Sequence, residues 1–171
     1  KQKKMPKRIA SLFSGCGGLD LGFTGGFSFG EKYYDRLNTH IVFSNDFDID
    51  ACTCYNANPM LIDDGATCLL EDIRNVDAGR IPDFHILLAG FPCQPFSNAG
   101  KRKGVNDDNG RGTLFEECER IIRAKIDNGH KPEAFVFENV RGILSSKMPD
   151  EKTSVPTEIK NRMERLGYNV S

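Results

Sequence analysis

Short apolar runs alternate with amphipathic stretches along the chain, and no long apolar segment interrupts the alternation. This order is typical of an open α/β sheet, in which strands and helices follow one another. Five apolar runs have the length of a strand, and each ends in polar or turn-forming residues. We predict strands at residues 9–13, 41–45, 67–70, 84–89 and 134–137.

Helices are predicted where apolar positions recur every three or four residues. The clearest helix spans residues 113–128, with Thr113 as the N-cap and Gly129 as the stop. Residues 24–40 are predicted to form a loop, and a further strand is predicted to begin at residues 168–170. Three shorter helices are predicted at residues 19–23, 51–57 and 158–166.

The bulk composition narrows the class of protein. A chain of 171 residues has the length of one domain with a single core. Apolar residues make up 39% of the chain, and no apolar run has the length of a membrane span or signal segment. We therefore expect a soluble intracellular protein with no membrane partner.

Charge and cysteine content add two expectations. A formal net charge of -1 gives no overall attraction to a polyanion, so nucleic-acid binding would need local basic clusters such as residues 101–103. The basic residues at 1–8 are better explained as a solubilising terminus. The six cysteines are scattered, which predicts reduced thiols. Cys52 and Cys54 lack a second pair at ligand spacing, so no structural zinc is expected.

A glycine-rich turn follows the first strand. Residues 14–18 read Ser-Gly-Cys-Gly-Gly and lead directly into a predicted helix, which is the usual opening of a nucleotide-binding unit. Glycines let a ligand approach the main-chain N-H groups, although an ordinary tight turn would have the same residues. Asp20 occupies the final glycine position of the dinucleotide motif, which disfavours a nicotinamide cofactor.

Acidic residues follow the next two strands. Asp46 is placed to accept hydrogen bonds from both hydroxyls of a ribose, and Phe47 beside it to pack on an adenine face. Asp72 is placed to accept from an exocyclic amine while Ile73 covers the ring. Each acid taken singly is equally consistent with a helix cap.

One cysteine has an unusual setting. Cys93 lies between Pro92 and Pro95, just past the predicted strand that ends at Gly90. Prolines on both sides restrict the main chain and predict a rigid turn that exposes the thiol. A nucleophilic thiolate needs positive potential nearby, and the following segment supplies Lys101, Arg102, Lys103 and Arg111.

These segments together resemble the carbon-5 cytosine-specific DNA methyltransferases of bacterial restriction-modification systems. The resemblance covers nearly the whole chain and keeps the order of the family's motifs. It implies a Rossmann-like S-adenosylmethionine-dependent fold, with a mostly parallel sheet and helices on both faces. The matching residues are 13–18, Asp46, Asp72-Ile73, Pro92-Cys93-Gln94, 111–115 and Glu138-Asn139-Val140.

The resemblance implies a mechanism through a covalent cysteine adduct. The Cys93 thiolate would attack carbon 6 of cytosine, and Glu138 would protonate or hydrogen-bond ring nitrogen 3. Asn139 would position the segment that carries Cys93, and Val140 would form part of the wall. S-adenosylmethionine would donate the methyl group and leave as S-adenosylhomocysteine, with no metal required.

The resemblance also implies two sets of binding residues. The substrate would be double-stranded DNA with a flipped cytosine, and a glycine-flanked basic loop at residues 100–112 would close over it. The cofactor residues would be Phe13, Ser14, Gly15, Cys16, Gly17, Gly18, Asp46, Phe47, Asp72, Ile73, Gly90, Pro92 and Leu114. The DNA-binding residues would be Gln94, Ser97, Lys101, Arg102, Lys103 and Arg111.

The chain departs from the family pattern in two places. Asn109 stands where the family often has an acid. The family's later arginine motif and its target-recognition domain have no counterpart, so we expect residues 1–171 to be a catalytic and cofactor-binding domain truncated before that recognition domain. A bacterial, cytoplasmic and nucleoid-associated monomer is expected, with a restriction endonuclease as genetic partner. Two alternatives stay open: a transfer-RNA cytosine-5 methyltransferase, and a catalytically silent cofactor-binding regulatory domain.

Overall fold

The computed structural model describes residues 5–62, 67–91, 114–148, 150 and 152–171. The strands in this part of the chain are β1 (Lys7–Leu12), β2 (Phe27–Phe29), β3 (Lys32–Tyr34), β4 (Thr39–Asp46), β5 (Cys68–Leu70), β6 (Ile86–Ala89) and β7 (Ala134–Phe137). The α-helices are α1 (Gly18–Thr24), α2 (Ile49–Asn56), α3 (Pro59–Ile62), α4 (Leu114–Asp127) and α5 (Val155–Arg165). Short 3-10 helices cover Ile73–Asn75, Ala78–Arg80 and Arg141–Ser145.

Five strands form one parallel sheet in the order β5-β4-β1-β6-β7. Each neighbouring pair is parallel, from β5 with β4 to β6 with β7. β1 therefore lies at the centre, with β4 on one side and β6 on the other. The carboxyl ends of β1, β4, β6 and β7 consequently meet at one edge of the sheet.

Helices cover both faces of this sheet. Neighbouring residues of a strand point to opposite faces, so Ile9 and Ala10 of β1 identify the helices that cover each one. Ile9 of β1 packs in a cluster with Leu19 and Phe23 of α1. Ala10 belongs to the large core on the other face, which contains Phe115 of α4 and residues of α5. The predicted parallel sheet with helices on both faces is confirmed. None of the described helices is long and apolar enough to cross a membrane.

The main difference from the sequence prediction lies between α1 and β4. Residues 24–40 were expected to be loop, but β2 and β3 form an antiparallel hairpin in which the rings of Phe27 and Tyr34 stack at 5.2 Å. The last residues also differ. No strand begins at 168–170, and the Tyr168 ring packs edge-on against Phe135 of β7 at 5.2 Å.

Smaller differences concern where elements begin and end. β1 ends at Leu12 rather than at Phe13. The second helix, α2, ends at Asn56, and Pro59 begins the separate one-turn helix α3, as the fixed φ of proline allows at a first helical position. Helix α4 begins at Leu114, and the N-cap expected at Thr113 lies outside the described residues.

Candidate active site

Several candidate site residues predicted from the sequence lie at the carboxyl edge of the sheet. In open α/β sheets, ligands bind in the crevice beyond the carboxyl ends of the strands. β1 leads into Phe13, β4 ends at Asp46, and β6 and β7 are followed by Gly90 and Glu138. Because these four strands are neighbours, the four positions lie along one edge.

The segment of residues 13–18, here called the glycine loop, contains three residues in left-handed main-chain conformation. Phe13, Gly15 and Gly17 all have positive φ, at 55°, 54° and 84°. The loop turns sharply because the N-H of Gly17 donates to the carbonyl of Ser14 at 2.9 Å. A Cβ on Gly17 would lie 2.1 Å from Cδ1 of Leu61, so only glycine fits there.

Asp46 ties the glycine loop to β4. Its carboxylate accepts from the N-H of Gly15 at 2.9 Å and from the N-H of Asp48 at 3.0 Å, and the residue is buried. Phe47 next to it is 69% exposed, which leaves its ring free to pack on a flat ligand. Asp46 therefore fixes the loop and has lone pairs left for a ligand donor.

The Asp72 carboxylate is already engaged within the protein. It caps the 3-10 helix by accepting from the N-H of Arg74 at 3.0 Å, and the Arg74 guanidinium binds both of its oxygens. The hydrogen bond from Arg74 lowers the pKa of Asp72, so it is present as a carboxylate. Ile73 is buried in the large core, and Arg120 of α4 donates to its carbonyl at 3.1 Å. Helix α4 thus holds this corner in place.

Two further cofactor candidates differ in exposure. Cys16 is exposed within the glycine loop, and a hydrogen bond with the Cys54 side chain is the largest cause of its raised pKa. Leu114, the first residue of α4, is partly buried and packs against the large core.

Gly90 allows the acid and the glycine loop to come together. A Cβ at Gly90 would lie 3.3 Å from Oε2 of Glu138 and 3.8 Å from the carbonyl oxygen of Phe13. The Glu138 side chain therefore approaches the end of β6 because that position carries no side chain. Glu138 itself is exposed.

A cavity of about 330 Å³ opens beside this contact. It joins the glycine loop on one side to the acid on the other. Its lining residues are Ser11, Leu12, Phe13, Ser14, Leu19, Asp20, Gly90 and Glu138.

Asn139 anchors the chain that leads to Pro92. Its Nδ2 donates to the carbonyl of Phe91 at 2.7 Å, and its Oδ1 accepts from the N-H of Val140 at 2.9 Å. The Phe91 ring packs against Phe137 of β7 at 5.6 Å between centroids. The main chain immediately before Pro92 is therefore fixed by a hydrogen bond and by ring packing.

The remaining candidates, including the cysteine, lie outside the described residues. These are Pro92, Cys93, Gln94, Ser97, Lys101, Arg102, Lys103 and Arg111.

Sequence reasoning missed a buried polar group behind the glycine loop. Asp20 of α1 and Tyr55 of α2 are both fully buried, and Tyr55 Oη donates to the Asp20 carboxylate at 2.7 Å. Ser11 Oγ donates to the other carboxylate oxygen at 2.6 Å. The available signal was helical spacing, since Asp20 and Thr24 share one buried face of α1.

Known proteins of one family are similar to this chain in sequence. A family model described as C-5 cytosine-specific DNA methylase matches residues 7–171. The Type II methyltransferase M.BanI of Aneurinibacillus aneurinilyticus is 40% identical over 169 residues, covering 98% of this chain and 33% of that protein. The Type II methyltransferase M.NlaX of Neisseria lactamica is 39% identical over 163 residues, covering 95% of this chain and 44% of that protein.

The solved structures give the same fold. The S. pombe Dnmt2 methyltransferase superimposes with a TM-score of 0.64 at 23% identity, covering 95% of this chain and 43% of that one. The chain spans less than half the length of the curated relatives described above. With its family match and these relatives, the chain belongs to the C-5 cytosine-specific DNA methylase family.

Proposed function

We propose that this chain supplies the cofactor-binding and catalytic part of a DNA methyltransferase that transfers a methyl group from S-adenosylmethionine to carbon 5 of cytosine. The observation that carries the proposal is the cavity that joins the glycine loop to Glu138. A methyl donor on one wall and the carboxyl group of Glu138 on the other would enclose a pyrimidine between them. Membership of the family supports the same conclusion.

The residues at the strand ends fit S-adenosylmethionine. A Cβ at Gly15 would meet no atom of the described residues within 4 Å, so the main chain of the loop is open to a ligand. Asp46 would accept from the ribose hydroxyls, and exposed Phe47 would stack on the adenine. Asp72 would accept from the adenine amine in place of one of its present bonds from the Arg74 guanidinium. When bound, the cofactor supplies an electrophilic methyl group on its sulfonium.

The chemistry would fall to Cys93 and Glu138. Cys93 follows Phe91 by two residues, and two residues of chain reach at most about 7 Å. The thiolate would bond to carbon 6 of cytosine while Glu138 protonates nitrogen 3, which leaves carbon 5 nucleophilic. After transfer, the carbon 5 proton would leave to water, the Cys93 sulfur would leave carbon 6 as the thiolate, and nitrogen 3 would return its proton to Glu138, which restores the aromatic ring. Asn139 would hold the segment in place through its bond to Phe91.

DNA would be bound by the segment beyond Phe91. Gln94 and Ser97 follow the cysteine directly and would contact the strand around the flipped base. Extrusion of the cytosine costs a few kcal/mol of stacking and pairing, and phosphate contacts offset part of this cost. The cations that would make such contacts are Lys101, Arg102, Lys103 and Arg111.

The biological setting follows from the relatives. M.BanI and M.NlaX are named Type II methyltransferases, which supports a restriction-modification role in the bacterial cytoplasm with a cognate endonuclease as genetic partner. We expect the intact protein to act as a monomer on duplex DNA.

A methyl-transfer assay with tritiated S-adenosylmethionine tests the proposal. The intact protein is incubated with duplex DNA or with transfer RNA, as wild type and as Cys93→Ala. Label should enter the DNA with wild type only, at carbon 5 of cytosine. Transfer to RNA alone would identify transfer RNA, not DNA, as the substrate. The absence of transfer to both polymers would indicate a regulatory domain.

Glu133, at the other end of β7, is a matched control for Glu138. Glu138 follows β7 and Glu133 precedes it, where Glu133 forms an exposed ion pair with Lys7. Glu138→Gln should reduce the rate of transfer about 100-fold or more, the usual range for a general acid. Glu133→Gln should leave the rate unchanged. Equal rates for both variants would remove Glu138 from the mechanism.

A further inference from the structure

A directed chain of hydrogen bonds runs behind the glycine loop. Ser11 Oγ donates to Asp20 at 2.6 Å. Ser14 Oγ donates its one proton to Ser11, whose Oγ lies at 3.0 Å and whose carbonyl oxygen lies at 3.2 Å. Tyr55 Oη donates to the same carboxylate at 2.7 Å. The carboxylate is thus the final acceptor for donors that come from both sides.

The chain connects the elements that form the cofactor edge. Asp20 belongs to α1, Tyr55 to α2 and Ser11 to β1, while Ser14 lies in the glycine loop. The N-H of Asn45 in β4 donates to Ser14 Oγ at 3.2 Å, which continues the connection. A change at Asp20 would therefore be transmitted to the loop through two hydroxyl groups.

The Asp20 carboxylate suits the end of this chain, because its two oxygens accept from two different donors, Ser11 and Tyr55. A hydrogen-bonded chain of hydroxyls has a direction, because each hydroxyl has one proton to donate. Ser11 gives its proton to Asp20 and so can accept from Ser14. Burial raises the pKa of Asp20, while the bonds from Ser11 and Tyr55 oppose that shift. Burial also raises the pKa of Tyr55, which keeps it a donor.

Tyr55 supports the loop in a second way. Two of its ring carbons lie 3.0 Å from the position that a Cβ on Gly17 would take. The ring therefore packs directly beneath the left-handed turn at Gly17, while its hydroxyl binds Asp20. Left-handed conformation at a non-glycine residue such as Phe13 persists only where its surroundings fix it.

We propose that Asp20 and Tyr55 are positioning residues for the methyl donor, which hold the glycine loop in the conformation that binds it. The proposal rests on the function proposed above, in which this loop binds S-adenosylmethionine. Both side chains act through Ser11, Ser14 and Gly17, and neither touches the reacting atoms. Loss of either side chain should therefore weaken cofactor binding, and loss of the Tyr55 hydroxyl should leave the chemical step at saturating cofactor unchanged.

Removal of one hydroxyl tests the proposal with a matched control. Tyr55→Phe removes the bond to Asp20, whereas Tyr168→Phe removes a bond of 2.9 Å from Tyr168 Oη to the carbonyl of Pro132. Tyr168 packs on β7 away from the glycine loop. Dissociation constants for S-adenosylmethionine and S-adenosylhomocysteine are measured by calorimetry on the intact protein, with urea unfolding as the stability reference.

Tyr55→Phe should weaken cofactor binding about tenfold, as expected for one lost hydrogen bond to a carboxylate, and Tyr168→Phe should not. Asp20→Asn should weaken binding at least as much. The double variant should add little to Asp20→Asn, because the Tyr55 hydroxyl acts through that carboxylate. In turnover assays of Tyr55→Phe, whose side chain does not line the cavity, the KM for the cofactor should rise while kcat and the affinity for DNA stay unchanged.

Three results would overturn the proposal. One is unchanged cofactor affinity in Tyr55→Phe and Asp20→Asn. A second is a loss of affinity in Tyr168→Phe that equals the loss in Tyr55→Phe, which would indicate a general effect of stability. The third is a wild-type protein that binds no S-adenosylmethionine, which would refute the proposed function and the positioning role with it. Wild-type binding with unaffected variants refutes the positioning role alone.

Discussion

The three glycines of the glycine loop differ in ways that predict three different effects of alanine. Gly17 has φ of 84°, and its Cβ would lie 2.1 Å from Cδ1 of Leu61 and 3.0 Å from two ring carbons of Tyr55. Gly15 has φ of 54°, but a Cβ there would have open space, since no atom of the described residues lies within 4 Å of that Cβ position. Gly18 has neither a positive φ nor a close neighbour in the described structure.

The expected costs follow from these contacts. Left-handed conformation costs a residue with a Cβ about 1–2 kcal/mol. Overpacking costs about 1–3 kcal/mol more, because carbon atoms prefer separations of about 3.5–4.0 Å. Gly17→Ala should thus lower the free energy of unfolding by roughly 2–5 kcal/mol, against a usual total of about 5–15 kcal/mol. Gly15→Ala should cost about 1–2 kcal/mol, and Gly18→Ala should change it by less than about 0.5 kcal/mol.

Urea unfolding followed by circular dichroism at 222 nm measures these differences. The chain contains no tryptophan, so helix content is the convenient signal. The expected order of destabilisation is Gly17→Ala, then Gly15→Ala, then Gly18→Ala. If Gly17→Ala were no more costly than Gly15→Ala, the close contacts of Gly17 with Leu61 and Tyr55 would not contribute to the cost, and the reasoning would be refuted. A large cost for Gly18→Ala would contradict the assignment of open space there.

Three further predictions concern single side chains. Asn139→Ala loses the donor to the carbonyl of Phe91, so kcat for methyl transfer should fall about tenfold and the free energy of unfolding should fall by about 1 kcal/mol; an unchanged kcat would exclude a positioning role. Burial raises the pKa of Asp20 above its ordinary 3.8, so wild type should lose stability relative to Asp20→Asn as the pH rises from about 4 through the raised pKa. Urea unfolding near pH 4 and near pH 7 checks this, and a stability of wild type relative to Asp20→Asn that is unchanged or higher at pH 7 would contradict it. Cys118 is buried, which raises its pKa, so iodoacetamide should alkylate exposed Cys54 in the native protein and Cys118 only in urea; equal labelling by mass spectrometry would refute this.

Local periodicity explains which parts of the fold the sequence predicted. Strand β7 has the predicted bounds because its apolar run is short and bordered by polar residues. Helix α4 has its buried residues Phe115, Cys118, Ile121 and Ile122 on one face, and that spacing is visible in the sequence. In both elements, the secondary structure follows from residues that are close together in the chain.

The hairpin of β2 and β3 could not be predicted in this way. Each strand has three residues, and most of them are exposed, so no alternation of apolar and polar positions marks them. The hairpin is stabilised instead by stacking of Phe27 on Tyr34 and by Lys32, whose ammonium lies 4.7 Å from the centre of the Tyr34 ring. Contacts of this kind depend on the turn at Gly30, which has φ of 60°.

The candidate site was predictable where a residue directly follows a strand. Asp46, Gly90 and Glu138 lie at the carboxyl edge because parallel strands all end there. Asp20 and Tyr55 are separated by 35 positions, and their hydrogen bond exists only because α1 and α2 pack together. Sequence reasoning treated Asp20 only as a departure from a dinucleotide motif, since no local pattern relates it to Tyr55.

Covalent trapping on duplex DNA that contains 5-fluorocytosine tests the central chemistry most directly. Fluorine at carbon 5 blocks the final elimination, so the enzyme should stay bonded to carbon 6 of the base after methyl transfer. The intact protein should form an adduct that resists denaturant and requires S-adenosylmethionine, and mass spectrometry should locate the nucleotide on Cys93. An adduct at another residue, or normal methylation of cytosine with no adduct on the fluorinated duplex, would contradict the account.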